Sequence, residues 1–401
     1  MSAFWGCFKK LDIKKGWAVD LAAADFYCAK PAEAFRLWAK GTASQAMGKL
    51  QWTQERPEGL PGPFWGGWVF DRQRPWPGFE KEIWCLPKQL LWQSGAQCGA
   101  CGFGSTEAEA QAHLFQLVKE AERSVCTPPV PPVVAHRLGD IGEERRTWRH
   151  LLKAALAEIS GGGIQKLVLS RQIHLESEAG WDMAWVLGEL ERHFGDCWTY
   201  ALRGEGGCHL IGATPEMLCK VKGRQLETEA LAGTAGAGEE ASLLHSEKDL
   251  REHRWVVEGI EKALGPWSEA VEVAPSMGIR RLPSLIHLHT PIRAFLREGV
   301  SPLEVARSMH PTPAVAGTPT KEAMAFLRKK EPFPRGFYAG ALGFGNEEEL
   351  NLFVALRAAK IHSKKAALFV GAGVVEGSSE EREWQETEQK AQALLCALGV
   401  L

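Results

Sequence analysis

ALFVGAGVVEGSSEEREWQETEQK, Ala367 to Lys390, joins an apolar strand to a helix crowded with carboxylates, and the rest of the chain repeats that style of junction. Ala367 to Val370 is short, branched and apolar, which suits a buried strand. Gly371 and Gly373 follow, bare enough for a ligand to approach main-chain donors. Ser378 and Glu381 have the spacing of a Ser-x-x-Glu capping box, which starts a helix there. Helical register then sets Glu383, Glu386 and Lys390 three and four residues apart on one face. As a surface pair, Glu386 and Lys390 would contribute about 0.3–0.5 kcal/mol. As a site, the carboxylates would hold a hard cation and the ammonium an anion, which requires a further carboxylate from elsewhere in the chain.

Working outward, KLVLSRQIHL (Lys166 to Leu175) reads as a strand with Lys166 at its beginning. A helix precedes it, with Trp148, Leu151, Leu152, Ala155, Leu156 and Ile159 at helical spacing and Gly161 to Gly163 as its stop. Strand patterns at 198–203, 209–213, 217–221 and 225–231 suggest an antiparallel meander, its first turn at Gly204 to Gly207. Ser246 with Asp249 opens a helix whose Leu250, Val257, Ile260 and Leu264 face a core while Glu252 projects elsewhere. Further helices are expected at 285–298 and 320–330, and strands at 337–345, 350–361 and 367–375. Long runs of strands broken by helix pairs predict an α+β fold with large antiparallel sheets, not a doubly wound parallel one.

Ten of the sixteen tryptophans lie before residue 150, which argues for packed structure there. Within it PFWGGWVF, Pro63 to Phe70, looks like a strand that another backbone approaches closely, and PPVPP at 128–132 marks a connector. A chain of 401 residues with 45% hydrophobic and 24% charged residues can bury one large core or two ordinary ones. A net charge of −2 offers no basic field for nucleic acid. No apolar run reaches the roughly 18 residues of a membrane span, and the N-terminus lacks a signal-peptide core, so a cytoplasmic protein is expected. Ten scattered cysteines then fit reduced thiols. Cys98 and Cys101 have zinc-knuckle spacing but no second pair of ligands.

GTAGAG at 233–238 and GAG at 371–373 lack the Lys-Ser/Thr ending of a phosphate loop and the acid of a dinucleotide fold. His287 and His289 would share a face if their segment were extended, yet no third metal ligand lies nearby. The glutamates are stronger candidates: Glu216 at a strand junction, Glu252 on one helix, Glu383 and Glu386 on another. A few carboxylates with substrate oxygens suit Mg²⁺.

Taken together, KLVLSR (166–171), IGATPE (211–216), EALAGT (229–234), HSEKDLREH (245–253), HLHTPI (287–292), HPTPAVAG (310–317), RGFYAGALG (335–343), VALR (354–357), GAGVV and EWQET resemble the chorismate-utilising enzymes in order and spacing. That family includes the anthranilate, aminodeoxychorismate, salicylate and isochorismate synthases. The resemblance spans 131–397 as catalytic core and reaches PFWGGWVF, with 1–130 otherwise less diagnostic, and implies one chorismate-binding domain over 1–401. The fold it implies has two large packed antiparallel sheets with helices outside. It implies Mg²⁺ on Glu252 and Glu386, with Glu383 assisting through water. Substrate carboxylate contacts fall on Arg357 and Lys390, and a ring pocket on Gly233, Thr234, Ala314, Gly371, Tyr338 and His287. In the water-using members, the lysine at the place of Lys166 activates water for attack at carbon 2, and the glutamate at the place of Glu216 protonates the departing 4-hydroxyl.

Lysine at 166 resembles the isochorismate, salicylate and aminodeoxychorismate enzymes, where anthranilate synthases carry glutamine. Alanine at 314 resembles isochorismate synthases. Reversible isomerisation of chorismate to isochorismate is therefore the expected activity. A salicylate synthase that goes on to eliminate pyruvate is the nearest alternative, and an aminodeoxychorismate synthase component the next. A catalytically silent module of the same fold is disfavoured by the presence of Lys166, Glu216, Glu252 and Glu386 together. A monomer without an amidotransferase subunit is expected, and the product's destination, whether menaquinone, a siderophore or salicylate, stays open.

Overall fold

The computed structural model describes residues 4–11, 20–45, 50–53, 55–123, 130–131, 134–283 and 285–400. The connector at 128–132 lies outside these apart from Val130 and Pro131. Two antiparallel layers carry the chain. In one, the strand Lys166–Ser177 pairs with Lys365–Val375, which pairs with Ala358–His362, then Cys208–Thr214, then Trp198–Arg203 and on into the N-terminal strands. In the other, Leu285–Leu296 pairs with Gln225–Gly236, then Met217–Lys222, Glu349–Val354, Ala341–Gly345 and Phe64–Trp68. The long strand Glu82–Ser94 belongs to both, pairing with Phe64–Trp68 at its start and with Phe35–Ser44 beyond. Buried aromatic and aliphatic side chains from both layers fill the space between them, Trp65, Phe26, Tyr200 and Phe353 among the largest.

The α+β prediction holds, with helices packed on the outer faces. Helix Ile141–Ser160 buries Trp148, Leu151, Leu152, Ala155 and Ile159, with Asp140 as its cap. PFWGGWVF is approached closely on both sides: a Cβ on Gly66 would fall 2.0 Å from the Ile83 carbonyl oxygen, and one on Gly67 1.9 Å from that of Ala341. Cys98 and Cys101 lie on the strand Gln97–Gly104, where residues three apart point to opposite faces, so one metal ion cannot take both. No helix among the described residues is long and apolar enough to cross a membrane.

Four expectations fail. The segment 285–298 is a strand, Leu285–Leu296: from Thr290 on, every second residue is buried, strands pair with it on both sides, and Pro291 would interrupt a helix. The meander is two hairpins in different layers, because the chain changes layer at Pro215–Glu216. The predicted strand 350–361 is likewise two, broken where the chain crosses back and Arg357 takes φ +47°. The last helix, Glu380–Ala397, is capped by Ser379; Ser378 instead accepts the Val375 amide at 3.1 Å, closing the preceding strand, while Glu381 pairs with Arg145.

Candidate active site

The two layer crossings run side by side. The Val354 amide donates to the Glu216 carbonyl at 3.0 Å, and the Ala213 amide to that of Arg357 at 3.4 Å. Glu216 and Arg357 thus emerge next to each other between the layers, 7% and 8% exposed. Opposite them, the adjacent strands 166–177 and 365–375 put Lys166 level with Val375, Val168 with Gly373 and Ser170 with Gly371.

A cavity of about 90 Å³ lies among these elements. It is lined by Lys166, Glu216, Glu252 and Glu386, and by Gly233, Thr234, His287, Ala314, Tyr338, Arg357, Gly371 and Lys390. Twelve of the thirteen sequence candidates therefore meet in one place. Glu383 does not line the cavity; it is 1% exposed, one helical turn before Glu386. A larger opening of about 720 Å³ lies elsewhere, bounded by Lys30, Arg56, Trp198 and Glu229, and holds none of these candidates.

Each acid of the metal-site trio faces a lysine. Lys166 Nζ stands 3.0 Å from Glu252 Oε1, Lys390 Nζ 2.6 Å from Glu386 Oε1, and Lys248 Nζ 2.6 Å from Glu383 Oε1. Lys390 also donates to the Gly371 carbonyl at 3.0 Å. Glu252 was expected to point away from the core face of its helix; it lies on that face, between Asp249 and Val256 in the buried stripe of Glu247–Leu264. Gly373 makes room for it, since a Cβ there would sit 2.1 Å from Glu252 Oε1. Burial and then Glu386 push the Glu383 carboxyl up to about 7, whereas Glu252, although buried, is held below the usual range by Lys166 and Lys248.

Glu216 behaves differently. Burial, helped by the charge of Glu229, pushes its carboxyl up to about 8 against the pull of Lys166 and Lys390, so at neutral pH it carries a proton. His287 is kept neutral by burial and by Arg357; its Nδ1 lies 3.1 Å from Thr234 Oγ1 and its Nε2 3.5 Å from Arg357. Gly233, at φ +77°, sits in a bulge where the pairing slips between Ala232 and Thr234, which explains the glycine of that motif without a phosphate loop. Tyr338 stacks on Phe369 with ring centroids 5.2 Å apart.

Sequence reading missed three contributors. Lys248 lies one turn before Glu252, a spacing open to inspection. Arg335 lines the cavity and forms a buried pair with Glu331, and His253, held down to about 4 by burial, fixes the Glu252 helix through Thr290 Oγ1 at 2.8 Å. Both depend on contacts across the fold that no local spacing announces.

The arrangement provides an amine and a protonated acid in one cavity with carboxylates able to take a cation. Among the described residues no group of three or more His, Cys, Asp or Glu side chains stands ready around a metal. The all-oxygen, like-charged set of Glu252 and Glu386 nevertheless fits a hard ion that completes its shell from substrate and water.

Comparison with known proteins gives the family. The family model described as "Chorismate binding enzyme" matches residues 22–399. The chain is 36% identical over 358 residues to the salicylate biosynthesis isochorismate synthase of Pseudomonas aeruginosa, covering 84% of this chain and 74% of that one. It is 34% identical over 332 residues to isochorismate synthase DhbC of Bacillus subtilis, covering 79% and 77%. The structure of MenF, the menaquinone-specific isochorismate synthase of Escherichia coli, superposes with a TM-score of 0.82 at 25% identity, covering 98% of this chain and 94% of that one. The chain belongs to the chorismate-binding enzyme family.

Proposed function

We propose that the protein is an isochorismate synthase, an isomerase that moves the hydroxyl of chorismate from carbon 4 to carbon 2. The observation that carries this reading is that Lys166 and the proton-bearing Glu216 line the same cavity as Glu252 and Glu386. Lys166 takes a proton from the water that attacks carbon 2, and the ring double bonds shift. Glu216 gives its proton to the 4-hydroxyl, which leaves as water. Water enters and water leaves, so substrate and product have one composition and the reaction runs both ways. Arg357 and Lys390 hold the substrate's carboxylates, His287 and Thr234 orient it, and the small Ala314 leaves space beside the ring. Glu252 and Glu386 would hold Mg²⁺, with Glu383 behind them; when bound, the ion neutralises the ring carboxylate and the repulsion between these acids. The cytoplasm is the compartment we assign.

Incubation of the purified protein with chorismate and Mg²⁺ tests the reading. Isochorismate without pyruvate is the expected product, while salicylate with pyruvate would replace the reading by a salicylate synthase. An aminated product that appears only when ammonia is supplied would point to the aminodeoxychorismate enzymes. Lys166→Ala and Glu216→Gln should each lower turnover by about 10²-fold or more, and full turnover in either variant would remove that residue from its role.

A further inference from the structure

Glu229 stands on the other side of the corner that carries Glu216. It belongs to the strand Gln225–Gly236, level with Pro291 of the neighbouring strand. Its Oε1 accepts the Met217 amide at 3.3 Å, and its Oε2 accepts from His289 Nε2 at 2.8 Å. Met217 directly follows Glu216, so the hydrogen bond grips the corner itself. Pro215 lines both cavities, Glu216 faces the smaller one, and Met217 and Glu229 face the larger one. The single segment 215–217 thus stands between two carboxyl groups, one on each side.

We propose that Glu229 is a positioning residue for the reaction: anchored by His289 and by the Met217 amide, it fixes the corner that aims Glu216 and keeps Glu216 in its proton-bearing form. This rests on the assignment of Glu216 as the proton donor. The environments of the two acids differ in the way such a division of labour needs. Burial alone would raise Glu229, but His289, Arg280 and the Met217 amide together hold it below the usual range, so it is ionised. Glu216 meets Lys166 from the strand 166–177, Lys390 from the last helix and Tyr338 from the turn before Ala341, and Arg335 and Arg357 line the same cavity. Lys166 and Lys390 favour loss of its proton. Glu252 and Glu386 line the same cavity but are each paired with a lysine, and Glu229 is the carboxylate whose charge raises Glu216 against that pull. Without it, the pull of Lys390 and Lys166 on Glu216 toward the carboxylate form would go unopposed, and the departing hydroxyl would lose its donor.

The full-length protein carrying Glu229→Gln, Glu229→Asp or Glu216→Gln decides the matter by two readouts, each on variants with wild-type circular dichroism. Infrared difference spectra over a pH titration without substrate should contain a protonated-carboxyl band that disappears in Glu216→Gln. In Glu229→Gln that band should titrate about one pH unit lower, while Glu229→Asp stays near wild type. The alkaline limb of the kcat profile should move down in Glu229→Gln by the same amount. A band and an alkaline limb in Glu229→Gln that coincide with wild type overturn the proposal while leaving Glu216 as donor. A band and turnover that both survive Glu216→Gln overturn the donor assignment, and this proposal with it.

Discussion

Two sets of buried opposite charges meet at the cavity, and they are built on contrary plans. Arg335 and Glu331 form a saturated cluster, each side chain 2% exposed. The guanidinium donates to Glu331 Oε2 at 2.9 Å, to the Val315 carbonyl at 2.8 Å and to the Val168 carbonyl at 2.6 Å, with the Phe70 ring 4.4 Å from its centre. Glu331 Oε1 takes the Ser170 amide at 3.0 Å and its hydroxyl at 2.8 Å. The cavity lysines and glutamates meet more sparsely, Lys166 through one carboxylate oxygen. A saturated pair holds its strands in place, whereas a sparse one keeps bonding capacity for a ligand.

That contrast is open to direct attack. The largest effect is expected from Arg335→Ala, which strands a buried carboxylate and should cost about 3–5 kcal/mol in denaturant unfolding. A cost near that of an exposed ion pair would erase the distinction between the clusters. Next comes acid. His310 accepts from Trp68 Nε1 at 3.0 Å on Nδ1 and therefore donates from Nε2 to the Ala339 carbonyl at 2.8 Å, a neutral ring by construction. Burial holds it down to about 4 from an ordinary 6.5. The unfolded chain then takes the proton first, so stability is lost as pH falls from 6.5 toward 4, by roughly 3 kcal/mol from this residue. Unfolding curves of His310→Gln measured across that window should fall less steeply than those of wild type.

The smallest effect sharpens the comparison from the cavity side. Glu216 is raised from 4.5 to about 8, so the folded state holds its proton longer than the unfolded state does. Stability therefore declines as pH rises through that interval. Glu216→Gln should be more stable than wild type at pH 9, by on the order of 1 kcal/mol after relaxation of the site, while losing turnover. A variant that loses both would place Glu216 with the structural cluster.

What could be read from the chain follows from how local each signal is. Lys166–Ser177 and Lys365–Val375 were evident because branched apolar runs between glycines have few other fates. Glu216, Glu252 and Glu386 were picked out singly, but their meeting was suggested only by resemblance, since it depends on pairings between strands up to two hundred residues apart. Leu285–Leu296 was misread because its first four residues are all buried and hide the alternation that begins at Thr290. The corners at Pro215 and Arg357 were invisible as layer changes, because the strand pattern on either side looks the same whichever sheet receives it. Glu229 was quoted within a motif, yet its partner His289 pairs through a register that only folding creates.

The paired crossings carry one more consequence. Glu216 and Arg357 are each tethered at one end to the first sheet and at the other to the second, and their carbonyls accept from Val354 and Ala213 of the opposite crossing. The gap between the sheets therefore works like the screw of a calliper, with these two residues as its jaws. The aromatic filling that spaces the sheets sets how wide those jaws stand.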